Sequence, residues 1–303
     1  MKALGDYSWA DWRRLRPLTH RLKTRRYDAM REAHVRRPAR AGDADLPARV
    51  RGRRVLVTVA FDDPDLIAMQ VPAVARCVPD ALHLVADNSN DDRAAWAIAE
   101  IAARSAVAYV RLPENPWQGG ANASRAHGMG LNWIWRNVLR PGEPLSFGCL
   151  DHDLFPTAPD DPFAMLDRQP VYGVLRQVGP RWFLWAGFCF LRFDAVKDLP
   201  LDFGQDWFNG LDTGGGNWDV LYRNLDRGAL TFAPTRFEPY RPGADPAHAS
   251  IQWCGTWLHE VGSTRRDGLS EIAADKRRTI KQLLAARPAA ADAPARDAMV
   301  LVP

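Results

Sequence analysis

Between residues 54 and 150 the chain repeats one alternation, a short β-branched or apolar run followed by a longer amphipathic stretch. The runs are Arg54–Phe61, Ala81–Ala86, Val107–Leu112 and Leu145–Leu150. Between them Asp65–Arg76, Arg93–Arg104 and Ala121–Val138 carry helical patterning. Apolar runs this short and this continuous predict strands buried on both faces. Strands alternating with helices predict an α/β fold, a mostly parallel sheet with helices on both faces. In such sheets ligands bind beyond the carboxyl ends of the strands. The polar clusters of this chain fall at those ends: Asp62-Asp63-Pro64, Asp87–Asp92, Glu114–Gly120 and Asp151-His152-Asp153.

The last cluster is chemically the most demanding. Residues two apart in a strand point the same way, so Asp151 and Asp153 face one volume. Their charges repel unless a cation or a proton is shared. A hard divalent cation, Mg²⁺ or Mn²⁺, meets that need and takes substrate phosphate oxygens beside the carboxylates. A polar turn closing a strand is the plainer account of the same tripeptide. What converges around it decides between the two.

Composition narrows the class. With 303 residues, 47% apolar and 25% charged, the chain has ample material for a soluble core. The strongest membrane-span candidate, Trp182–Phe193, is too short and contains Arg192, and no signal-peptide pattern opens the sequence. Cys77, Cys149, Cys189 and Cys254 are widely spaced, which predicts buried reduced thiols in the cytoplasm rather than a zinc knuckle. The net charge of +4 conceals an asymmetry. Residues 1–54 hold 16 Lys/Arg against 6 Asp/Glu, which leaves 24 against 30 of the totals of 40 and 36 for the rest.

This basic arm opens with a capping signal at Ser8 and helical spacing of Trp9, Trp12, Leu15 and Leu18. Pro17 interrupts it, so two helices are expected, the second through Arg21–His34, and then a linker over Arg37–Arg54. Tryptophans among arginines suit a helix at an anionic membrane surface. A helix packed on the body, its arginines solvated, accounts for the same pattern. No nucleic-acid partner is expected.

The second half is less regular. Pro170–Leu175 and Leu184–Phe193 read as antiparallel strands across the turn Val178–Arg181, Asn217–Arg227 as a helix, and Leu230–Phe232 as a final strand. Ser270–Ala286 reads as a polar helix before an Ala/Pro tail, 287–303, expected to be disordered.

Four stretches together resemble a known family. Val85-Ala-Asp-Asn-Ser-Asn-Asp91 resembles the second-strand signature of inverting family 2-like glycosyltransferases. Asn115 with Gly119-Gly120, then Asn122 to Gly130, resembles the stretch after their third strand. Asp151-His-Asp153 falls where they carry a DxD, and His259 in Trp257-Leu-His-Glu-Val-Gly-Ser263 is similar to their C-terminal histidine. The resemblance covers roughly residues 54–265. It implies a GT-A fold, Rossmann-like, with a nucleotide-binding half (54–156) and an acceptor half (157–268). Flanking these are a helical arm and linker (1–53) and a final helix and tail (269–303). It implies a UDP-, GDP- or dTDP-sugar donor, a glycan or lipid-linked acceptor, and a cation held by Asp151, Asp153 and His259. Phe61, Asp62, Asp87, Asn115, Gly119, Gly120, Arg125 and Asp151 are the implied nucleotide-sugar contacts, Asp87 toward the base and Arg125 or His127 toward the phosphates. The family's general base is a carboxylate in the second half, and the usual Glu-Asp pair is absent here. Asp212, in a Gly-rich loop that permits close approach, is preferred over Asp219. The expected location is cytoplasmic, with peripheral contact at the inner membrane face.

Two rivals follow from the departures. The missing Glu-Asp pair motivates a GT-A fold that binds a nucleotide sugar or glycan without transferring it. A sugar nucleotidyltransferase would use the same sheet and cation, but Phe61-Asp-Asp-Pro64 replaces the basic, Gly-rich phosphate loop it needs.

Overall fold

The computed structural model describes residues 4–117, 123–241, 250–262 and 270–286. Seven strands form the main sheet: β1 (Ala41–Gly42), β2 (Arg54–Ala60), β3 (Leu82–Asp87), β4 (Ala108–Arg111), β5 (Ser146–Asp151), β7 (Val171–Val178) and β8 (Arg181–Arg192). Their order is β1-β4-β3-β2-β5-β8-β7. The centre, β4-β3-β2-β5, is parallel, and the outer pairs are antiparallel. The mixed α/β architecture with a mostly parallel central sheet is therefore as the alternation predicts.

The faces follow from the period of two in β2. Val55, Val57 and Val59 pack with Leu131, Ile134 and Trp135 on and after helix α6 (Ala123–Ile134). On the opposite face Leu56 meets Val74 of α4 (Pro64–Cys77). Ala60 meets Ile67 and Val71 of α4 and Ile98 of α5 (Asp92–Arg104). Burying each such aliphatic side chain contributes about 1.5–3 kcal/mol. All four cysteines are free and buried. Among the described residues no helix is long and apolar enough to cross a membrane.

A second, smaller sheet has the order β6-β11-β10-β9, antiparallel throughout. Its strands are β6 (Leu154–Pro156), β9 (Thr235–Pro239), β10 (Ser250–Cys254) and β11 (Trp257–His259). Only His152 and Asp153 separate β5 of the first sheet from β6 of the second.

Several local expectations are corrected. The segment Arg37–Arg54 is no simple linker: it holds β1, which pairs with β4, and a short helix, α3 (Leu46–Val50), whose Leu46 and Val50 enter the main core. In the arm two helices form, α1 (Trp9–Arg13) and α2 (Arg16–Val35), but the break falls at Arg14-Leu15 and α2 begins before the expected Arg21, because Pro17 sits in its first turn where a missing N–H costs nothing. Asn217–Arg227 forms no continuous helix. Its glycine-rich approach gives separate 3₁₀ turns at Gly215–Asn217, Tyr222–Asn224 and Arg227–Ala229. Leu230–Phe232 is not a strand either; Leu230 and Phe232 pack on the main core as irregular chain, and pairing resumes at β9. The tail 287–303 lies outside the described residues.

Candidate active site

Asp151 ends β5 and Asp153 begins the crossing into β6. In the β6–β11 ladder His259 pairs with Leu154, and the Glu260 N–H donates to the Asp153 carbonyl at 2.9 Å. This register, set across more than a hundred residues of sequence, delivers His259 to the Asp-His-Asp turn. Nε2 of His259 lies 3.3 Å from Asp153 Oδ1. One ligand atom from each of Asp151, Asp153 and His259 falls within 4.8 Å of the others.

The turn is held from below by a buried polar chain. Gln70, on α4 and fully buried, donates from Nε2 to the carbonyls of Asp151 and Leu154, both at 2.8 Å. Its Oε1 accepts from the Thr58 hydroxyl at 2.7 Å, and Thr58 in turn meets His83 Nε2 at 2.9 Å. His152 points inward, and its Nδ1 accepts from the Phe61 N–H at 3.3 Å.

Electrostatics at the turn reflect this crowding. Burial pushes the Asp151 carboxyl up; His127, with Nδ1 3.2 Å from Asp151 Oδ1, pulls against it, and Asp153 adds to the rise. Burial works to lower the His259 pKa, but the Asp153 carboxylate, with Asp151 behind it, prevails and raises it. Gln252 Oε1 lies 3.1 Å from His259 Nδ1. That contact turns Nε2 toward Asp153, as second-sphere partners fix a ligating imidazole. Two carboxylates and one imidazole fit Mn²⁺ or Mg²⁺.

A cavity of about 230 Å³ opens over the turn. Phe61, Asn88, His127, Asp151, Asp153, Trp185, Asp212, Thr213 and His259 are among its lining residues. Asp212 reaches it from a loop shaped by Gly214, whose φ of +94° and approach to the Leu184 carbonyl exclude a side chain. Burial works to raise the Asp212 pKa. Hydrogen bonds from Gln205, 2.9 Å away, and from the Thr213 N–H outweigh it and hold the carboxyl below its ordinary range.

The expected residues therefore divide. Phe61, Asp151, Asp153, Asp212 and His259 meet at one cavity. Asp219 is not among the lining residues; it sits after the Gly215–Asn217 turn and pairs with Arg223 at 3.4 Å. Asp62, at a φ of 47°, accepts from the Asn90 and Asp91 N–H groups, both at 2.9 Å. Asp63 caps α4, and Asp91 caps α5. Asp87 is fully buried, accepting from the Tyr109 hydroxyl and the Ser89 N–H, both at 2.9 Å. Asn115 is buried, donating to Asn88 and the Ala126 carbonyl. The Arg125 guanidinium lies between the rings of Trp117 and Trp207, at 4.6 and 4.2 Å. Gly119 and Gly120 lie outside the described residues.

The tryptophan-rich second half also divides. Trp185 lines the cavity beside His259, Trp182 and Trp257 are core, and Trp207 is 61% exposed. Sequence reasoning missed Gln70 and Gln252, and it quoted Asn88 within the second-strand signature without giving it a role. Gln70 alone left a trace, a polar residue within the apolar stripe Leu66-Ile67-Val71-Val74 of α4.

No protein-family model and no curated protein matches the chain. Among solved structures, the mannosyltransferase PcManGT from Pyrobaculum calidifontis, in complex with GDP-Man and Mn²⁺, is similar at 14% identity with a TM-score of 0.39. That similarity covers 62% of this chain and 56% of that one. S. aureus TarS is similar at 14% identity with a TM-score of 0.33, over 50% of this chain and 30% of its own. The chain thus spans little more than half of the one structure and under a third of the other.

Proposed function

We propose that this protein is a metal-dependent glycosyltransferase of GT-A type that transfers a sugar from a nucleoside-diphosphate donor with inversion. The observation that carries this reading is the convergence of Asp151, Asp153 and His259 at the carboxyl end of the parallel strands, with Asp212 in the same cavity. Asp153 and His259 are the direct ligands of Mn²⁺ or Mg²⁺, with Asp151 completing the set or meeting the donor. The ion, when bound, supplies electrostatic stabilisation of the diphosphate leaving group.

The chain's own groups do the rest. Phe61 and Asn88 form the wall nearest β2 and β3, suited to the donor. Trp185 offers an aromatic wall beside His259 that suits a sugar ring. Asp212 is the general base: its carboxylate lines the cavity, is ionised at neutral pH and can accept the proton of an acceptor hydroxyl, although the hydrogen bonds that lower its pKa make it a weaker base than a free aspartate. The protein works on the cytoplasmic side on a glycan or lipid-linked acceptor, touching an anionic membrane face through residues 1–53.

The test is donor turnover with UDP-, GDP- and dTDP-sugars. Asp153→Ala is expected to abolish turnover while unfolding remains cooperative. Asp212→Asn is expected to lose at least about 100-fold in transfer while still binding donor, with Asp219→Asn near wild type. Retained turnover in Asp153→Ala would sink the metal assignment.

A further inference from the structure

Helix α2 carries two stripes. Pro17, His20, Thr24, Tyr27, Arg31 and His34 recur at helical spacing on the side that meets the body. Tyr27 and Arg31 there bind Asp202, and His34 is buried. At about 100° per residue, Leu18 and Leu22 fall on the opposite side, and the exposed Leu15 precedes the helix in a left-handed turn. Leu15, Leu18 and Leu22 are 59%, 54% and 65% exposed, and Trp9 and Trp12 of α1 add 77% and 40%. The stripe runs between Arg21 and Arg25 on one flank and Arg26 on the other, all exposed. A helix that packs one face and presents leucines to water on the other leaves apolar area without a partner.

The arm is also mounted on the loop that carries Asp212. The His20 ring stacks on Phe208, centroids 4.0 Å apart and planes at 19°. Phe208 lies in the turn Trp207–Asn209, closed by a bridge between Asp206 and Leu211. Arg181 reaches both Asp6 of the arm, at 3.8 Å, and Asp206 of the loop, at 3.5 Å. Whatever the leucine stripe binds is held across α2 from the loop that supplies the base, roughly 10 Å away.

We infer that the stripe Leu15-Leu18-Leu22, with Trp9 and Trp12, lies in the interface of an anionic bilayer, and that this contact holds the Asp212 loop roughly one helix width from the lipid surface to receive a lipid-anchored acceptor. The acceptor class rests on the glycosyltransferase reading; the bilayer contact does not. Charge selects the occupant. Leucines and tryptophans ringed by arginines match the acyl boundary and phosphate layer of an anionic leaflet. A second copy packed arm to arm would instead oppose two strongly basic surfaces, since residues 1–54 carry 16 Lys/Arg against 6 Asp/Glu.

The experiment uses the full chain with phosphatidylcholine vesicles, with and without phosphatidylglycerol, read by co-sedimentation and tryptophan emission. The wild type is expected to bind the anionic vesicles with a blue shift and to bind the neutral ones at least about tenfold less. Leu18→Glu/Leu22→Glu, at exposed positions, is expected to keep the wild-type melting temperature and lose the binding. Arg25→Glu/Arg26→Glu is expected to weaken it, as added salt does for the wild type. A wild type that ignores anionic vesicles, a leucine variant that binds them fully, or a concentration-dependent dimer abolished by the leucine variant would each overturn the inference. Mn²⁺-dependent nucleotide binding by the same leucine variant reports on the donor reading separately.

Discussion

Replacing Gln70 by Leu keeps the volume of a fully buried side chain and removes its three hydrogen bonds. Two of these hold the carbonyls of Asp151 and Leu154, on either side of the His152-Asp153 turn. Each bond contributes roughly 1 kcal/mol net, so the variant loses about 3 kcal/mol, more if the freed carbonyls stay dry. At this chain length that lowers the melting temperature by about 5–10 °C. The turn then loses its fixed spacing, and loss of such outer-shell support costs about 10–100-fold in metal affinity. Thermal unfolding gives the first number and Mn²⁺ titration of the folded protein the second. Ile98→Ala, in the separate core beneath α5, is the control: it destabilises by about 2–5 kcal/mol and leaves the site alone. If Gln70→Leu is destabilised yet binds Mn²⁺ as the wild type does, Gln70 supports the core and does not position the ligands.

Two further outcomes follow from the same geometry. Burial holds His83 near a pKa of about 4, below the ordinary 6.5, so the folded state takes up its proton later than the unfolded chain. Stability should therefore be fully present above pH 6.5, fall by about 3 kcal/mol as pH drops toward 4, and level off below; His83→Gln, which keeps a donor for Thr58, should flatten that part of the denaturation profile, and an unchanged slope counts against the assignment. Gly128 of α6 abuts Phe203 and Gly204, where an added Cβ would sit 2.7 Å from a carbonyl oxygen, so Gly128→Ala should cost about 1–3 kcal/mol in urea unfolding and disturb the Asp212 loop that hangs from Phe203 and Gly204 through Gly214 and Gly216.

What the sequence reveals and what it hides divide along physical lines. The parallel core was legible because β2 to β5 are continuous apolar runs whose neighbours are helices of opposite patterning, and local periodicity alone carries that signal. Asp151 and Asp153 were legible as a pair for the same reason, their spacing of two at a strand end. His259 had a motif to point to it but no local cause. Its position depends on the β6–β11 register, a tertiary pairing that no window of sequence contains. The Gly-rich loop favours Asp212 over Asp219, and in the structure Asp212 lines the cavity beside the left-handed Gly214 while Asp219 does not line it. The failures at Asn217–Arg227 and Leu230–Phe232 share a cause. There, apolar residues pack on the core from irregular backbone, so burial imitates periodicity. The linker expected over Arg37–Arg54 failed because a two-residue edge strand is too short to leave a pattern.

In the proposed mechanism the Asp151–Asp153–His259 cluster couples a divalent cation to a nucleoside diphosphate. Thermal shift with UDP, GDP, dTDP and CMP, each with and without Mn²⁺, tests it most directly. A ligand at about a hundred times its dissociation constant stabilises by about 2.7 kcal/mol. The account predicts such a shift for one nucleoside diphosphate, only with Mn²⁺, and its loss in Asp153→Ala. A folded protein that none of them stabilises, or a shift that persists without metal and in Asp153→Ala, contradicts it.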